Sequence, residues 1–420
     1  MKPSIQEPNP TGSTFSNPLP MIFHVDMDAF FAAVEVRSDP RLRGQNLVVG
    51  GGPGPRGVVT AASYPARRFG IKAGMAMGEA LKRCPDLVFL PVDPSKMIFE
   101  SLQVLEVLDR FTRRLEPASI DEAYLWFPSE SSSLWVEKAK ALASNIQTTM
   151  LMERGLTCSI GVGINKLQAK MASALQKPRG ISVIHPNKYL EVFGHRPVGI
   201  VPGIGPKTQE VLRGQGVLTV EDLSRLKGAS HFTEASEKQL VSFGLGLDER
   251  SVIPDSDPKS AGHETTFARD VADPKLLKAT LSLLADRVAR RLRVGRRQAK
   301  TVEVRYKIGK QRFSRQRTLT HFTNQSRDLL RVAWDLLEPA RKGKPLRLLG
   351  VAGASLHSDT GQSSLVPVDN QLDDVTGIGD RLRDRFGEQT LLPATIYRRS
   401  KPKSRNPIGF QPVRRNHGNQ

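Results

Sequence analysis

The run Met21-Ile22-Phe23-His24-Val25-Asp26-Met27-Asp28-Ala29-Phe30-Phe31 alternates its residue types with the period of two that a β-strand imposes. Ile22, His24, Asp26 and Asp28 then share one face, and apolar Met21, Phe23, Val25 and Met27 line the other. Such a strand covers a core with one side and offers carboxylates from the other. A second run, Ser119-Ile120-Asp121-Glu122-Ala123, sets two adjacent acids among apolar and small residues. Taken alone, that pair reads as a solvated strand end, as most acids do. Beside Asp26 it reads differently, because buried acids need a compensating charge to be tolerated. Asp26, Asp121 and Glu122, brought together from two elements far apart in the chain, would offer hard oxygen ligands of the kind that favour Mg2+ or Mn2+. In a regular strand Asp121 and Glu122 face opposite ways, so joint ligation demands a hairpin tip or a bulge there.

A chain of 420 residues is too long for one core and implies two to four domains. Its formal charge of +20 calls for an extended polyanion as partner. Nucleic acid fits better than a membrane, since no run of about 18 or more apolar residues is present. Two cysteines, Cys84 and Cys158, are too few for a disulfide framework or a Cys-based zinc site, which suits the reducing cytoplasm. Residues 1–20 carry Pro, Ser, Asn and Thr without an apolar core and read as a disordered leader rather than a signal peptide.

Working outward, residues 32–37 begin a helix and 46–50 and 57–62 form short strands around a Gly- and Pro-rich loop. Residues 65–69 form a short helix bearing Arg67 and Arg68. Residues 96–114 space Met97, Phe99, Leu102, Leu105, Leu108 and Phe111 as a helix lying under a sheet, and 135–153 repeat the pattern. A strand at 157–164 leads into a helix at 165–176, on which Lys166 and Lys170 read as solvated. Lys177 follows beside Pro178 and Gly180, where a cation complements the helix dipole. The whole implies an antiparallel sheet backed by helices.

Val201-Pro202-Gly203-Ile204-Gly205-Pro206-Lys207-Thr208 is a helix-hairpin-helix signature, whose Gly203 and Gly205 allow a tight turn with backbone N–H groups aimed at a phosphate. A glycine turn that touches no DNA is the plainer alternative. After a Pro-, Asp- and Ser-rich linker, residues 262–359 read β-α-β-β-α-β, the split ferredoxin-like unit. There Val302, Val304, Tyr306 and Ile308 alternate with Glu303, Arg305 and Lys307, so one face packs and the other meets solvent or phosphate. Residues 260–359 hold 22 Lys and Arg against 9 Asp and Glu, so this module carries +13 of the total charge. Non-specific binding to a DNA backbone is the natural use. Residues 398–420, with seven cations and no acid, read as a disordered basic arm.

Several of these motifs stand together in one known order. Val25 to Phe31, Tyr64-Pro65-Ala66-Arg67-Arg68-Phe69-Gly70-Ile71, Ser119 to Tyr124, and Lys177-Pro178-Arg179-Gly180 are arranged as in Y-family translesion DNA polymerases. The chain resembles the DinB, or DNA polymerase IV, branch of that family from about Met21 to about Leu356. The resemblance implies a multidomain α+β right-hand polymerase. Palm (21–30 and 95–184), fingers (31–94), helix-hairpin-helix thumb (185–250), linker (251–261) and ferredoxin-like little finger (262–359) would precede a basic, largely disordered tail (360–420).

It implies two Mg2+ ions held by Asp26, Asp121, Glu122 and the Met27 carbonyl, with Asp28 structural. It further implies that the amides of Ala29, Phe30 and Phe31, with Tyr64, Arg67 and Lys177, hold the nucleotide triphosphate. Phe31 matches the steric gate against ribose. Gly203, Gly205, Lys207 and Thr208, with Arg305, Lys307, Arg312 and Arg315, would contact primer-template DNA. Expected partners are DNA, deoxynucleotides and, weakly, a sliding clamp, with the protein a monomer. The candidate clamp peptides, at 362–366 and 371–375, lack the usual aromatic. Trp126 and Met97 depart from the family pattern, and no segment supplies a proofreading acid cluster. An inactive polymerase-like scaffold and a non-enzymatic DNA-binding protein are the rival readings.

Overall fold

The computed structural model describes residues 19–51, 56–128, 134–228, 231–254, 257–358, 370–387 and 390–391. Strand β1 (Met21–Met27) lies at the centre of a five-stranded sheet ordered β5-β6-β1-β7-β8. β6 (Glu122–Phe127) and β7 (Cys158–Gly163) flank it antiparallel, β5 (Leu115–Pro117) pairs with β6, and β8 (Ile181–Val183) closes the sheet parallel to β7. The period of two holds along β1. Phe23, Val25 and Met27 are buried in a core shared with α4 (Pro94–Asp109) and α5 (Trp135–Arg154), and His24 faces α6 (Lys166–Ser173) on the other side.

α6 can lie this close because β7 offers glycine there. Gly161 sits opposite His24, and a Cβ on it would come within 2.1 Å of the Ala169 carbonyl oxygen and 2.2 Å of the Ser173 nitrogen. No side chain fits without lifting the helix. Asn165 caps α6 by accepting from the Gln168 N–H at 2.9 Å, and its own amide donates to Gly246 at 2.8 Å, tying helix to thumb.

Two details of the helix under the sheet differ from expectation. It stops at Asp109 rather than 114, because the Arg114 carbonyl already accepts from the Trp126 N–H in the approach to β5. Its buried face runs through Met97, Glu100, Ser101, Val104, Val107 and Leu108, and Phe99 is 58% exposed. A glutamate takes the inward position because Arg37 and Arg154 both ion-pair with it.

The fingers comprise α1 (Phe30–Ser38) and a three-stranded sheet ordered β3-β2-β4, from β2 (Leu47–Gly50), β3 (Val59–Ala62) and β4 (Val88–Pro91). The short helices α2 (Tyr64–Arg67) and α3 (Met77–Arg83) complete them. The thumb packs α7 (Tyr189–Phe193), α8 (Pro206–Gly214), α9 (Val220–Leu223) and α10 (Glu234–Gly244) around Leu212, Val220, Leu223 and Phe243.

The last domain has the expected βαββαβ order: β9 (Ser260–Val271), α11 (Pro274–Val294), β10 (Arg297–Ile308), β11 (Gln311–Thr323), α12 (Ser326–Arg341) and β12 (Leu346–Ser358). Its strands stand β11-β10-β12-β9, all neighbours antiparallel, so each βαβ crossover spans one intervening strand. A further helix, α13 (Asn370–Phe386), stands within the 360–420 tail that was expected to be largely disordered. It meets α11 through charge: Arg293 with Asp380 at 2.7 Å, and Arg383 with Asp286 at 2.8 Å. Its apolar Ile378, Leu382 and Phe386 point outward. The leader and the 398–420 arm lie outside the described residues. Among the described residues no helix is long and apolar enough to cross a membrane.

Gly161→Ala is expected to destabilise the sheet domain by about 1–3 kcal/mol, the usual cost of overpacking. Gly78→Ala, in the first turn of α3 with no atom within 4 Å of the added methyl, should stabilise by about 0.5–1 kcal/mol. Denaturant unfolding of the two variants checks the difference in sign.

Candidate active site

The acids converge where β1 runs out. Asp26 pairs with Glu122 across the ladder, and the Met27 N–H donates to the Asp121 carbonyl at 3.0 Å. β6 begins only at Glu122, so Asp121 belongs to the preceding turn, where Ser119 Oγ donates to its carboxylate at 2.6 Å. That turn meets the geometric demand, because Asp121 escapes the alternation that would send it away from Glu122. All three acids line one cleft of about 560 Å3, together with Phe31, Arg67 and Lys177.

The charges there are not at rest. Burial pushes the Asp26 carboxyl up to about 6, its neighbours Glu122 and Asp121 push the same way, and the ion pair with Lys177 opposes them. Burial likewise raises Asp121. Glu122 accepts from the Lys170 ammonium at 2.7 Å. Among the described residues no three such ligands are drawn in to metal-ligand geometry, since ammonium groups hold two of the acids. A half-buried acid set in which burial raises Asp26 and Asp121 fits a hard dication, which would relieve the repulsion that burial and crowding create.

Lys166 is therefore not solvated, contrary to the expectation, and Lys170, with a side chain 31% exposed, is only partly so. Lys166 is buried and reaches Glu116 at 2.5 Å, and Lys170 lies between Glu122 and His24. The cause is the close seat of α6 on Gly161, which turns both side chains onto the sheet.

Around the cleft, Ala29 adopts left-handed φ of +46°, and α1 starts without any side-chain cap. Its first amides are left without that partner at the cleft wall formed by Ala29, Phe30 and Phe31. Phe30 is buried at 2%, while Phe31 packs edge-on against it, so the two rings divide between core and cleft. Arg67 lines the cleft, donates from Nε to the Ala62 carbonyl at 3.0 Å and lies 4.7 Å over the Tyr64 ring. Tyr64 is not a lining residue: its hydroxyl donates to Asp28 at 3.2 Å. Asp28, 3% exposed, also accepts from Ser159 Oγ at 2.7 Å and the Arg179 N–H at 3.0 Å, as befits a structural acid. Lys72 also lines the cleft and went unread, although it directly follows the matched Tyr64 to Ile71 motif.

On the thumb, Gly203 takes φ of +93° in the exposed hairpin and Gly205 precedes α8, with Lys207 exposed beside it and Thr208 half-buried. The preceding helix is a single 3-10 turn, Val198–Ile200. On the last sheet, Arg305 lies opposite Ser314 and Lys307 opposite Arg312, so these three basic residues share the face away from the helices. Arg305 pairs with Glu303 at 2.5 Å and Arg312 with Glu264 at 2.7 Å. Arg315 lies opposite buried Val304, which puts it on the other face. The four cations grouped from the sequence thus split three to one, because a strand puts residues an even number apart on one face and an odd number apart on opposite faces. Trp126 lies 4.1 Å under the Arg114 guanidinium, and Met97 is core, so neither departure touches the acids.

Comparison with known proteins agrees with this geometry. The impB/mucB/samB family matches residues 25–174, and its C-terminal domain matches residues 258–365. DNA polymerase IV of Methanoculleus marisnigri is 42% identical over 339 residues, which is 79% of this chain and 93% of the relative. DNA polymerase IV of Listeria monocytogenes serotype 4a is 35% identical over 80% and 95% of the two chains, and DNA polymerase IV 2 of Methanosarcina mazei is 35% identical over 82% and 95%. Among solved structures, the Y-family DNA polymerase chimera Dbh-Dpo4(243-245)-Dbh superposes with a TM-score of 0.72 at 24% identity, covering 80% of this chain and 99% of the other. With relatives this similar matched over nearly their whole length, the chain belongs to the Y-family of DNA polymerases, in its DNA polymerase IV branch.

Proposed function

We infer that the chain is a DNA-directed DNA polymerase of the translesion type, which extends a primer past damaged bases, with errors and without proofreading. The observation that carries the site assignment is the meeting of Asp26, Asp121 and Glu122 in one cleft whose walls bear Arg67 and Lys177. In this reading the three carboxylates and the Met27 carbonyl hold two Mg2+ ions, with Mn2+ as a substitute. Such ions lower the pKa of an attacking hydroxyl and neutralise a leaving pyrophosphate.

The chain's own residues bind and orient. The uncapped start of α1, with Arg67 and Lys177, takes the triphosphate, since backbone N–H groups and a planar guanidinium both match phosphate oxygens. Tyr64 assists by bracing Asp28 and stacking with Arg67. Phe31 lies beneath the sugar. Gly203, Gly205, Lys207 and Thr208 hold the duplex backbone from the thumb, and Arg305, Lys307 and Arg312 from the little finger, with Arg315 at its margin. The enzyme acts as a monomer in the cytoplasm. Its hold on a sliding clamp is weak, because the 371–375 peptide has no aromatic and falls within α13. The 362–366 peptide lies outside the described residues. An inactive scaffold or a simple DNA-binding protein would have no use for three half-buried acids crowded into one cleft.

Asp121→Asn is expected to abolish primer extension while leaving primer-template affinity near that of the wild type. Persistent extension would remove Asp121 from the ligand set. Phe31→Ala should raise the kcat/KM for ribonucleotides relative to deoxynucleotides by roughly 5- to 200-fold, the return of about 1–3 kcal/mol of overlap. An unchanged ratio would place the gate elsewhere. Because Asp26 is raised from 3.8 to about 6, an entering cation must displace its proton below that pH. Mn2+ affinity should therefore fall about tenfold per pH unit below 6 and level off above it. In the metal-free protein, stability tied to protonated Asp26 is present at low pH and lost as pH rises through 6. Added Mn2+ should counter that loss, which a pH series of thermal melts would record.

A further inference from the structure

Behind Glu122, on the side away from the cleft, Lys170, His24 and Ser173 form a hydrogen-bonded set to which the reading of the site above gives no task. The Lys170 ammonium lies 2.7 Å from Glu122 Oε2 and 3.3 Å from His24 Nε2. His24 Nδ1 lies 2.8 Å from Ser173 Oγ, which donates to the Lys170 carbonyl at 2.8 Å. An ammonium can only donate, so His24 Nε2 must accept. A neutral imidazole that accepts at Nε2 carries its hydrogen on Nδ1 and donates it to Ser173 Oγ. The hydroxyl, so occupied, sends its own hydrogen to the Lys170 carbonyl. A single assignment of hydrogens satisfies all four contacts. His24 is fully buried, and that burial, with Lys170 and Lys177 nearby, holds its pKa well below the ordinary imidazole value.

The two lysines of the site differ in where they stand. Lys177 reaches Asp26 from within the cleft, where a triphosphate would compete for it. Lys170 is not among the residues lining the cleft, and it is braced on one side by a ring that cannot move between sheet and helix. An ammonium fixed in this way ties one oxygen of Glu122 and determines the direction of the other.

We propose that Lys170, braced by His24 and Ser173, is a positioning residue that orients Glu122 toward the metal ions. The proposal rests on the reading of Glu122 as a metal ligand. Partners of this kind, which touch a ligand and not the metal, typically change metal affinity by about 10- to 100-fold when removed. The direction of the change separates positioning from plain charge. Deleting a nearby ammonium would, by Coulomb's law alone, tighten the binding of a dication. Loss of orientation weakens it.

The experiment is a titration of the full-length protein with Mn2+ in the absence of nucleotide, reading free Mn2+ by electron paramagnetic resonance. Thermal melts of each variant check the fold. Lys170→Met is expected to raise the Kd for Mn2+ about tenfold. Ser173→Ala, which leaves every formal charge in place but frees His24, should raise it as well. Unchanged or tighter binding by a folded Lys170→Met overturns the proposal, and should that variant not fold, an unchanged Kd in Ser173→Ala overturns it instead. Glu122→Gln distinguishes the two layers. If Glu122→Gln leaves Mn2+ binding unchanged, Glu122 is no ligand and the site reading beneath the proposal fails. If it weakens binding while the Lys170 and Ser173 variants do not, positioning alone is lost.

Discussion

Three carboxylates confined to one cleft repel one another, and the architecture around them is arranged to contain that repulsion. At an effective dielectric constant near 20, two unit charges 4 Å apart interact by about 4 kcal/mol. Burial adds to this by disfavouring each charged form, and the raised carboxyls of Asp26 and Asp121 register both effects. The chain answers with cations placed from a single helix and its end. Lys170 stands on Glu122, and Lys177 on Asp26. Both depend on α6 lying directly on β7, which depends in turn on Gly161 having no side chain. A packing constraint of one methyl group thus sets the electrostatics of the site.

The same logic recurs away from the cleft. Glu100 enters the sheet domain's interior only because Arg37 and Arg154 meet it there. α13 lies on α11 through Arg–Asp pairs, turning its charged side inward. In a chain of net +20, acids are the scarcer species; buried Glu100 gathers two arginines, while buried Asp28 is held by the Tyr64 and Ser159 hydroxyls and the Arg179 backbone N–H. The surplus cations are left for exposed surfaces. On the little finger Glu303 and Glu264 hold Arg305 and Arg312 across the open face. Exposed pairs of this sort add little stability, typically 0.2–1 kcal/mol. They do order long side chains, which in the proposed role would lower the entropy lost on binding a phosphate.

Much of this was legible in the sequence because it follows from periods. Alternation in Met21–Met27 set the faces of β1, and alternation in Arg297–Ile308 set those of β10. The acid-bearing turn could be required from the alternation rule even though no residue in Ser119 to Asp121 announces it. What periodicity does not carry is which side of a helix meets which neighbour. Phe99 and Glu100 are adjacent, and only the positions of Arg37 and Arg154 decide which turns inward. Lys166 and Lys170 read as solvated for the same reason. Local pattern also misleads when context differs. Val201-Pro202-Gly203-Ile204-Gly205 and Val375-Thr376-Gly377-Ile378-Gly379 share Val-x-Gly-Ile-Gly, yet the first is a hairpin with Gly203 at φ of +93° and the second lies inside a helix. Pro202 within the first copy and Pro206 directly after it favour the break, and the second copy has neither.

The wall that faces the acids explains how such a site can be both competent and permissive. Strand β3, α2 and the stretch after it line the cleft with Thr60, Ala61, Ala62 and Ala73, none larger than threonine, with Arg67 and Lys72 as the long side chains there. Selection among bases by shape requires bulk that clashes with a misfit, and a site lined by small residues discriminates little between shapes close to a correct pair. In the reading proposed above, triphosphate and sugar are held differently, the first by fixed charge and the second by the Phe31 ring, which is seated against buried Phe30. Affinity for the parts common to all deoxynucleotides is thereby separated from discrimination among bases. A polymerase built this way can align a triphosphate for attack opposite a distorted template base, because the groups that position the reacting phosphate do not depend on the fit of the pair.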